Sequence, residues 1–353
     1  MSISDEHEKY MRRCLKLAAK GLGSTAPNPM VGCVIVHKDR IIGEGFHRIY
    51  GGPHAEVIAI NSVLDITLLT DSVLYVNLEP CSHFGKTPPC TGLICEKNIP
   101  AVISGTLDPN PIVSGKGIQF LKEKGMNVVT DILKAECINL NKRFFTFHMK
   151  KRPFIILKWA QTKDCFIDVD RQEHETKRIA WITDEASRRL VHKWRAEEQA
   201  ILVGSRTVMM DNPRLTTRNW PGKNPLRLVI DREGSLSGNL KILDGSVETV
   251  IFTYKPKRNQ TNLKYFLLDR NKDSISTVLE FLYTNNIQSL IVEGGKMLID
   301  EFLRQEIWDE ARVFTGNVTF GKGIPAPVLL SEPVEQFEFA ESLLKIYKNS
   351  DSC

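Results

Sequence analysis

The sequence His54-Ala-Glu56, followed by Pro80-Cys81 and then by Cys90, indicates the fold of the N-terminal half. A hydrolytic zinc centre needs three protein ligands, one open position for a water molecule and a nearby carboxylate that carries protons. His54, Cys81 and Cys90 can supply the ligands, and Glu56 the carboxylate. Zinc-dependent nucleobase deaminases carry H-x-E followed by P-C-x-x-C. The first half matches, but eight residues separate the cysteines, so the pattern is a broken motif or a variant with an inserted loop.

The local sequence predicts that these groups sit at the ends of secondary-structure elements. The apolar spacing after His54 predicts a helix that begins there. A buried strand at 72–79 leads into Cys81, and Pro88-Pro89 favours a second helix that starts at Cys90. Helix N-termini favour anions, and therefore the thiolate that zinc requires. The pattern predicts one zinc site.

Other side chains compete for a place at this site. His83 lies two residues after Cys81 and is the main competing ligand, but its loop contains Gly and Pro and suits substrate contact better. Cys33 and Cys95 lie inside apolar runs and are interpreted as core residues. A non-enzymatic structural zinc site is a further alternative. Such sites usually have four ligands and have no need for Glu56.

Composition limits the classes of function. The chain has 353 residues, enough for two domains, with 42% hydrophobic and 25% charged residues and a net charge of +5. No long basic tract with interleaved aromatic residues indicates nucleic-acid binding, and no apolar run is long enough to span a membrane. Eight cysteines are too few for a disulfide scaffold of this length. With a polar N-terminus, these features predict a cytoplasmic protein.

Alternating strand and helix patterns predict two α/β domains. Residues 1–148 contain about five strands covered by helices, which predicts a three-layer α/β/α domain. The basic, aromatic tract 141–153 is interpreted as a connector that packs its phenylalanines between the domains. Strands and helices recur over 149–353 and predict a second α/β domain.

The second domain carries weaker signals. Glu293-Gly294-Gly295-Lys296 follows an apolar strand and could cradle a phosphate, although a diglycine is more often just a tight turn. A full G-x-G-x-x-G is absent there. The segment Thr207–Pro213 is interpreted as a polar loop after a strand, suited to ligand contact. These features alone predict only a second ligand-binding domain.

The order of motifs over residues 5–335 resembles the family of bifunctional deaminase–reductases of riboflavin biosynthesis. In the first half the resemblance depends on Ala26-Pro-Asn-Pro-Met-Val-Gly, Pro53-His-Ala-Glu and Leu78-Glu-Pro-Cys-Ser-His-Phe-Gly-Lys-Thr-Pro-Pro-Cys90. This last run is highly specific, and it explains the spacing of the cysteines as the family's own form. In the second half the resemblance depends on Leu157-Lys158-Trp-Ala, Thr207-Val-Met-Met-Asp211-Asn-Pro and Val292-Glu-Gly-Gly.

The resemblance implies roles for individual residues. In the first half it implies zinc bound by His54, Cys81 and Cys90, proton transfer by Glu56, and a substrate pocket lined by Asn28, His47, His83 and Lys86. In the second half, on a fold similar to dihydrofolate reductase, it implies catalysis by Lys158 and substrate binding by Arg195, Leu215, Arg218 and Glu293. It also implies NADPH contacts from Ala160, Trp181, Thr207, Asp211 and the segment from Gly295.

The implied function is a two-step conversion, by a homo-oligomer, of phosphoribosylated pyrimidines. The substrate 2,5-diamino-6-(5-phosphoribosylamino)pyrimidin-4(3H)-one would first lose an amine by hydrolysis. NADPH would then reduce the ribosyl group to give 5-amino-6-(5-phosphoribitylamino)uracil. The chain departs from the family at Cys165, where Gly is usual, and over residues 166–179, where Ile179 replaces a polar residue. A deaminase with an inactive second half is therefore one alternative, and a tRNA or nucleoside deaminase with an RNA-binding domain is another.

Overall fold

The computed structural model of the chain describes residues 3–84, 88–111, 113–170, 180–255 and 257–349. It divides into two units, Met1–Lys151 and Arg152–Cys353. The predicted limit between residues 148 and 149 falls inside the last helix of the first unit. In the portion of the chain that the structure describes, no helix combines the length and the apolar character needed to cross a bilayer.

The first unit contains a sheet of five strands within its described residues. The strands are β1 (Gly32–His37), β2 (Arg40–Phe46), β3 (Val73–Val76), β4 (Ala101–Ser104) and β5 (Asn127–Val129). The helices are α1 (Ile3–Ala18), α2 (Ala55–Asn61), α3 (Cys90–Glu96), α4 (Lys116–Glu123), α5 (Lys134–Leu140) and α6 (Lys142–Lys150). The order is β2-β1-β3-β4-β5, with β1 antiparallel to β2 and β3 and the other neighbours parallel.

The central strands are apolar on both faces, which is why helices cover both sides. Cys33 and Ile35 of β1 pack in one hydrophobic cluster with residues of α2 and α3. Val34 and Val36 point to the other face and pack with residues of α1. Since successive side chains of a strand alternate between faces, this arrangement makes three layers.

The tract that was interpreted as a connector is helical over most of its length, as α6. Phe144 and Phe145 are buried in a cluster with Leu78, which follows β3 in the first unit. The phenylalanines therefore contribute to the core of this unit and hold α6 beside the sheet.

The second unit contains a sheet of nine strands and a small sheet of two strands within its described residues. The strands are β6 (Phe154–Gln161), β7 (Phe166–Asp168), β8 (Ala200–Gly204), β9 (Leu226–Ile230), β10 (Thr249–Thr253), β11 (Leu263–Leu267), β12 (Ser289–Val292), β13 (Glu310–Thr315), β14 (Ile324–Pro325), β15 (Glu335–Phe339) and β16 (Ser342–Lys348). The helices are α7 (Glu185–Glu197), α8 (Ser205–Asp211), α9 (Ser274–Thr284) and α10 (Lys296–Arg304).

The order of the large sheet is β11-β10-β9-β8-β12-β6-β13-β16-β15. Neighbours from β11 to β13 are parallel, and β16 is antiparallel to β13 and β15. Ile155 and Leu157 of β6 face one hydrophobic cluster, and Phe154 and Ile156 face the other. The sheet is thus buried on both faces, as parallel sheets usually are. The prediction of two α/β domains is confirmed.

One local interpretation was wrong. The stretch interpreted as a polar loop at 207–213 forms α8 as far as Asp211. Val208 is fully buried, so one face of this short helix packs on the core. The helix ends where Asn212 adopts a left-handed conformation just before Pro213, because neither position continues a helix well.

Candidate active sites

The three residues predicted as zinc ligands lie together in the first unit. His54 is the residue before α2, Cys90 is the first residue of α3, and Cys81 follows β3. Thr91 holds the Cys81 segment, since its backbone N–H and its hydroxyl both donate to the Cys81 carbonyl oxygen at 3.2 Å. The start of α3 therefore supplies one ligand, Cys90, and also fixes the position of a second ligand, Cys81.

The geometry of this cluster fits a zinc ion. His54 Nδ1 lies 3.3 Å from Cys90 Sγ and 3.5 Å from Cys81 Sγ. Ligands at normal zinc distances in a tetrahedron are about 3.6 Å apart for a nitrogen and a sulfur. Among the described residues, His54, Cys81 and Cys90 form a group of side chains that could hold a metal ion. Their ligand atoms all lie within 4.8 Å of one another. Three ligands leave a fourth position open.

The pKa values of the two thiols are shifted in opposite directions. The pKa of Cys81 is lowered, because the Cys90 side chain donates a hydrogen bond to the thiolate and His54 adds another. The pKa of Cys90 is raised, since its proton is held in the hydrogen bond to Cys81 and the group is buried. Zinc requires deprotonated thiols. A bound zinc ion would take the place of the proton that joins the two sulfurs.

Glu56 lies on the first turn of α2, beside the three zinc ligands. It is not one of the residues whose ligand atoms converge on the metal site. Its side chain is 3% exposed. Burial and the nearby Cys81 thiolate raise the pKa of Glu56 to about 7. A carboxylate with such a pKa can both accept and release a proton near neutral pH.

Asn28 and His47 are brought together at the edge of the same site. Asn28 Nδ2 lies 3.1 Å from His47 Nε2, and His47 Nδ1 lies 2.9 Å from the carbonyl oxygen of Pro53. Since a carbonyl only accepts, Nδ1 carries a proton and Nε2 accepts from Asn28. The His47 ring centroid is 5.6 Å from that of His54. Burial lowers the pKa of His47, which favours this neutral form.

The two remaining predicted pocket residues are less informative. His83 is exposed and does not belong to the metal cluster of the described residues, so the competing ligand interpretation finds no support. Lys86 lies outside the described residues.

Glu79 belongs to the motif that runs from Leu78 to Cys90, but the sequence interpretation assigned it no role. Its buried carboxylate accepts hydrogen bonds from four backbone N–H groups at the start of α4 and in the loop before it. The donors and distances are Asp108 at 3.1 Å, Gly115 at 2.9 Å, Gly117 at 2.7 Å and Ile118 at 3.3 Å. Glu79 precedes Pro80-Cys81, so it ties a ligand segment to this loop. An acidic residue directly after an apolar strand was the signal that could have identified it.

In the second unit, the predicted reductase residues surround a cavity of about 960 Å³. Nine of them line it. They are Lys158, Ala160, Trp181, Arg195, Thr207, Asp211, Arg218, Glu293 and Gly295. Gly295 has a φ of 70°, and a Cβ there would come within 3.0 Å of Thr207 Oγ1, which is why glycine suits the turn before α10.

A partly buried ion-pair network forms one wall of the cavity. Arg195 donates two hydrogen bonds to Glu293, at 2.7 and 2.6 Å, and Lys158 Nζ lies 4.0 Å from the same carboxylate. Lys158 and Glu293 are neighbours because β6 and β12 are adjacent and parallel. Burial alone would raise the pKa of Glu293, but Arg195 and Lys158 outweigh it and hold the pKa at about 2. Burial lowers the pKa of Lys158, and Glu293 opposes that change.

His192, one turn before Arg195 on α7, also lines this cavity and was not predicted. Burial and the positive charges of Arg195 and Arg218 lower its pKa to about 4. His192 is therefore neutral at physiological pH, and the positive charge of this wall comes from the arginines and Lys158.

Leu215 and the residues that depart from the family pattern differ in whether they line the cavity. Leu215 packs into a hydrophobic cluster and is not among the described residues that line the cavity, so its role in substrate binding stays a prediction. Cys165 is exposed in a turn with a φ of 64° and is likewise not among the described lining residues. Ile167 and Asp168 do line the cavity. Residues 171–179, which include Ile179, lie outside the described residues.

Comparison with known proteins assigns both units. A family model described as the cytidine and deoxycytidylate deaminase zinc-binding region matches residues 4–106. A family model described as the RibD C-terminal domain matches residues 153–344. The first unit is thus a deaminase unit of the zinc-binding type, and the second a reductase unit.

The similarity to single proteins extends over almost the whole chain. The riboflavin biosynthesis protein RibD of Aquifex aeolicus is 38% identical over 327 residues, which cover 91% of this chain and 90% of the relative. RibD of Bacillus amyloliquefaciens is 39% identical over 333 residues, with 92% and 88% covered. A crystal structure of a Thermotoga maritima diaminohydroxyphosphoribosylaminopyrimidine deaminase/5-amino-6-(5-phosphoribosylamino)uracil reductase is 38% identical. It superposes with a TM-score of 0.88 and covers 99% of this chain and 100% of its own.

Fold and sites together define a bifunctional enzyme, a zinc-dependent deaminase joined to a reductase. The chain belongs to the RibD family of riboflavin biosynthesis. The resemblance stated from the sequence is confirmed, and so is the pair of activities. A tRNA or nucleoside deaminase with an RNA-binding domain does not fit, because the second half matches the RibD C-terminal domain.

Proposed function

We propose that the chain deaminates 2,5-diamino-6-(5-phosphoribosylamino)pyrimidin-4(3H)-one and then reduces the product to 5-amino-6-(5-phosphoribitylamino)uracil. The observation that supports this most is the convergence of His54, Cys81 and Cys90 beside a buried Glu56, in one chain with the Lys158 cavity. The Thermotoga maritima protein, whose structure matches over the full length, carries the names of these two activities.

In the deaminase unit, His54, Cys81 and Cys90 would hold zinc. A bound zinc ion supplies a water molecule that is nucleophilic at neutral pH. Glu56 would accept a proton from that water and deliver it to the exocyclic amine, so that ammonia leaves and a carbonyl oxygen takes its place. The burial of Glu56 supports this role, because it raises the pKa of the carboxyl group to about 7, where the group can both accept and release a proton near neutral pH.

The side chains around the zinc site would orient the pyrimidine. Asn28 Nδ2 is engaged by His47, which leaves the Asn28 carbonyl oxygen to accept from a substrate N–H. The loop between the cysteines would add His83 and Lys86, and a lysine there would suit the substrate phosphate.

In the reductase unit, NADPH would supply the hydride. The hydride would reach the ribosyl C1′, and a proton would reach the ring oxygen as the C1′–O bond breaks. Lys158 is partly buried and carries a positive charge next to Glu293, which supports its placement beside the reacting ribose. Arg195, Arg218 and Glu293 would hold the phosphoribosyl group, and the family resemblance adds Leu215 to these substrate contacts.

The cofactor would lie along the other residues of the cavity. Gly295 and the start of α10 offer backbone N–H groups to a phosphate, as helix N-termini do. Ala160, Trp181, Thr207 and Asp211 would complete the NADPH contacts. A homo-oligomeric state and the absence of a nucleic-acid partner stay predictions.

Mass spectrometry of products tests this function. The purified protein is given the diaminopyrimidinone substrate, first without and then with NADPH. We expect ammonia and a deaminated product in the first reaction, and a product with two further hydrogens in the second. Release of ammonia without NADPH oxidation, even when the deaminated substrate is supplied directly, would show an inactive reductase half. No ammonia release would contradict the proposal.

A further inference from the structure

Two buried asparagine side chains hold the backbone that follows Asn28. Asn141, between α5 and α6, is 2% exposed, and Asn77, after β3, is 0% exposed. The Asn141 amide accepts from the Met30 N–H at 2.8 Å and donates to the Met30 carbonyl oxygen at 2.9 Å. Asn77 donates to the same carbonyl oxygen at 3.1 Å and accepts from the Gly32 N–H at 2.7 Å. Both backbone polar groups of Met30 are therefore held by side chains.

At Met30, the two asparagine side chains make the hydrogen bonds that a neighbouring strand would otherwise make. Met30 lies before β1, so its N–H and carbonyl group have no partner in the sheet ladder. A side-chain amide carries a donor and an acceptor in one plane, and Asn141 uses both on one residue. The bond spans 111 positions of sequence. The position of the Met30 segment thus depends on the end of the deaminase unit.

The same segment carries a wall of the proposed deaminase pocket. Asn28 lies two residues before Met30 and contacts His47. The His47 N–H donates to the Val31 carbonyl oxygen at 2.9 Å, so this histidine is tied to the segment twice. Through the contact between the rings of His47 and His54, the segment is placed against the metal ligands.

We propose that Asn141, with Asn77, is a positioning residue for deamination. Through Met30 it fixes Asn28 at the distance from the zinc centre that the substrate requires. The inference depends on the proposed role of Asn28 in binding the pyrimidine. It also explains why α6 belongs to the deaminase unit, although none of the zinc ligands lies near it in sequence.

The test uses the full-length zinc-loaded protein with Asn141→Ala and Asn141→Asp. Asn139→Ala is the matched control, since Asn139 is an exposed asparagine on α5. We expect kcat/KM for deamination to fall about 10- to 100-fold in Asn141→Ala, because small displacements of a positioning group have effects of that size. Asn141→Asp keeps an acceptor for the Met30 N–H but turns a second acceptor oxygen toward the Met30 carbonyl oxygen, so it should also lose deamination. Zinc content, and reduction of the deaminated substrate, should match the control.

A double-mutant cycle separates positioning from a general loss of stability. If Asn141 acts through Asn28, Asn141→Ala should have almost no further effect on kcat/KM in an Asn28→Ala background. Full additivity, or wild-type deamination in Asn141→Ala, would overturn the inference. If Asn28→Ala alone leaves deamination unchanged, the proposed role of Asn28 fails, and the route through Asn28 fails with it. Should Asn141→Ala lose its zinc, Asn141→Asp decides by the same criteria.

Discussion

At the scale of single residues, Glu56 separates proton transfer from metal binding. It lies two residues after His54, yet its carboxylate is not one of the convergent ligand atoms. Glu56→Gln keeps the size of the side chain and removes the proton carrier. We expect the variant to retain its zinc, because the ligands are intact, and to lose deamination by about 10²–10⁴-fold. Steady-state ammonia release and metal analysis measure both quantities.

The control for this variant is a true ligand. Cys81→Ser should lose zinc and deamination together, since a hydroxyl is a poor replacement for a thiolate. If Glu56→Gln loses its metal as Cys81→Ser does, Glu56 is a ligand and the proton-transfer role is wrong.

Cys165 allows a prediction about stability instead of activity. Its φ of 64° is a conformation that favours glycine, the residue that the family resemblance leads us to expect there. Cys165→Gly should raise the free energy of unfolding of the reductase unit by about 0.5–1 kcal/mol, the relief of left-handed strain less the extra chain entropy. Thermal unfolding measures the effect. Cys165→Ala keeps the strain and should show no gain, so an equal gain there would contradict the explanation.

Residues with a chemical signature could be predicted from the sequence, and residues that act through contacts could not. The zinc ligands and Glu56 follow from residue type and spacing. Asn77 and Asn141 carry no such signature, because their role arises from one backbone segment that folds between them. For Leu215, the sequence did not show that its side chain packs in a hydrophobic cluster, and its role in substrate binding stays a prediction.

At the scale of elements, the loop before α4 depends on one carboxylate. Glu79 accepts four backbone hydrogen bonds, and a glutamine would place an NH₂ group against some of these donors. We expect Glu79→Gln to destabilise the deaminase unit by about 2–4 kcal/mol, since hydrogen bonds to a buried charge are each worth about 1.5–3 kcal/mol. Urea-induced loss of zinc reports on this unit. Glu123→Gln, at an exposed position on α4, is the control, and equal midpoints for the two variants would contradict the prediction.

The predicted elements were most accurate where apolar periodicity is strong. The apolar run predicts a strand at Val31–His37, which is within one residue of the observed bounds of β1, and the residues of β1 alternate between two clusters. α8 was missed because it is a short helix whose single buried residue gives no visible period. α6 is interpreted from the sequence as a connector, because the sequence does not show that Phe144 and Phe145 pack on Leu78 of the first unit. In both cases tertiary packing, which a short window of sequence does not contain, decides the structure.

At the scale of the whole molecule, each unit contains the residues of one reaction. The zinc ligands and Glu56 all lie in Met1–Lys151, and the described residues that line the reductase cavity all lie in Arg152–Cys353. Each unit also has its own hydrophobic clusters and its own sheet. The order of the two family models along the chain agrees with this division.

The chemistry of the two sites should therefore be separable in the intact chain. Glu56→Gln should leave reduction at the wild-type rate when the deaminated substrate is supplied, because no reductase residue is altered. Lys158→Ala should abolish reduction and spare ammonia release, since it removes the positive charge that lies 4.0 Å from Glu293 and leaves that carboxylate with Arg195 alone. Lys163→Ala, a change outside the described cavity lining, is the control. The oxidation of each cofactor is monitored by its absorbance, and we expect a higher rate with NADPH than with NADH. Loss of ammonia release in Lys158→Ala would show instead that the two reactions depend on each other.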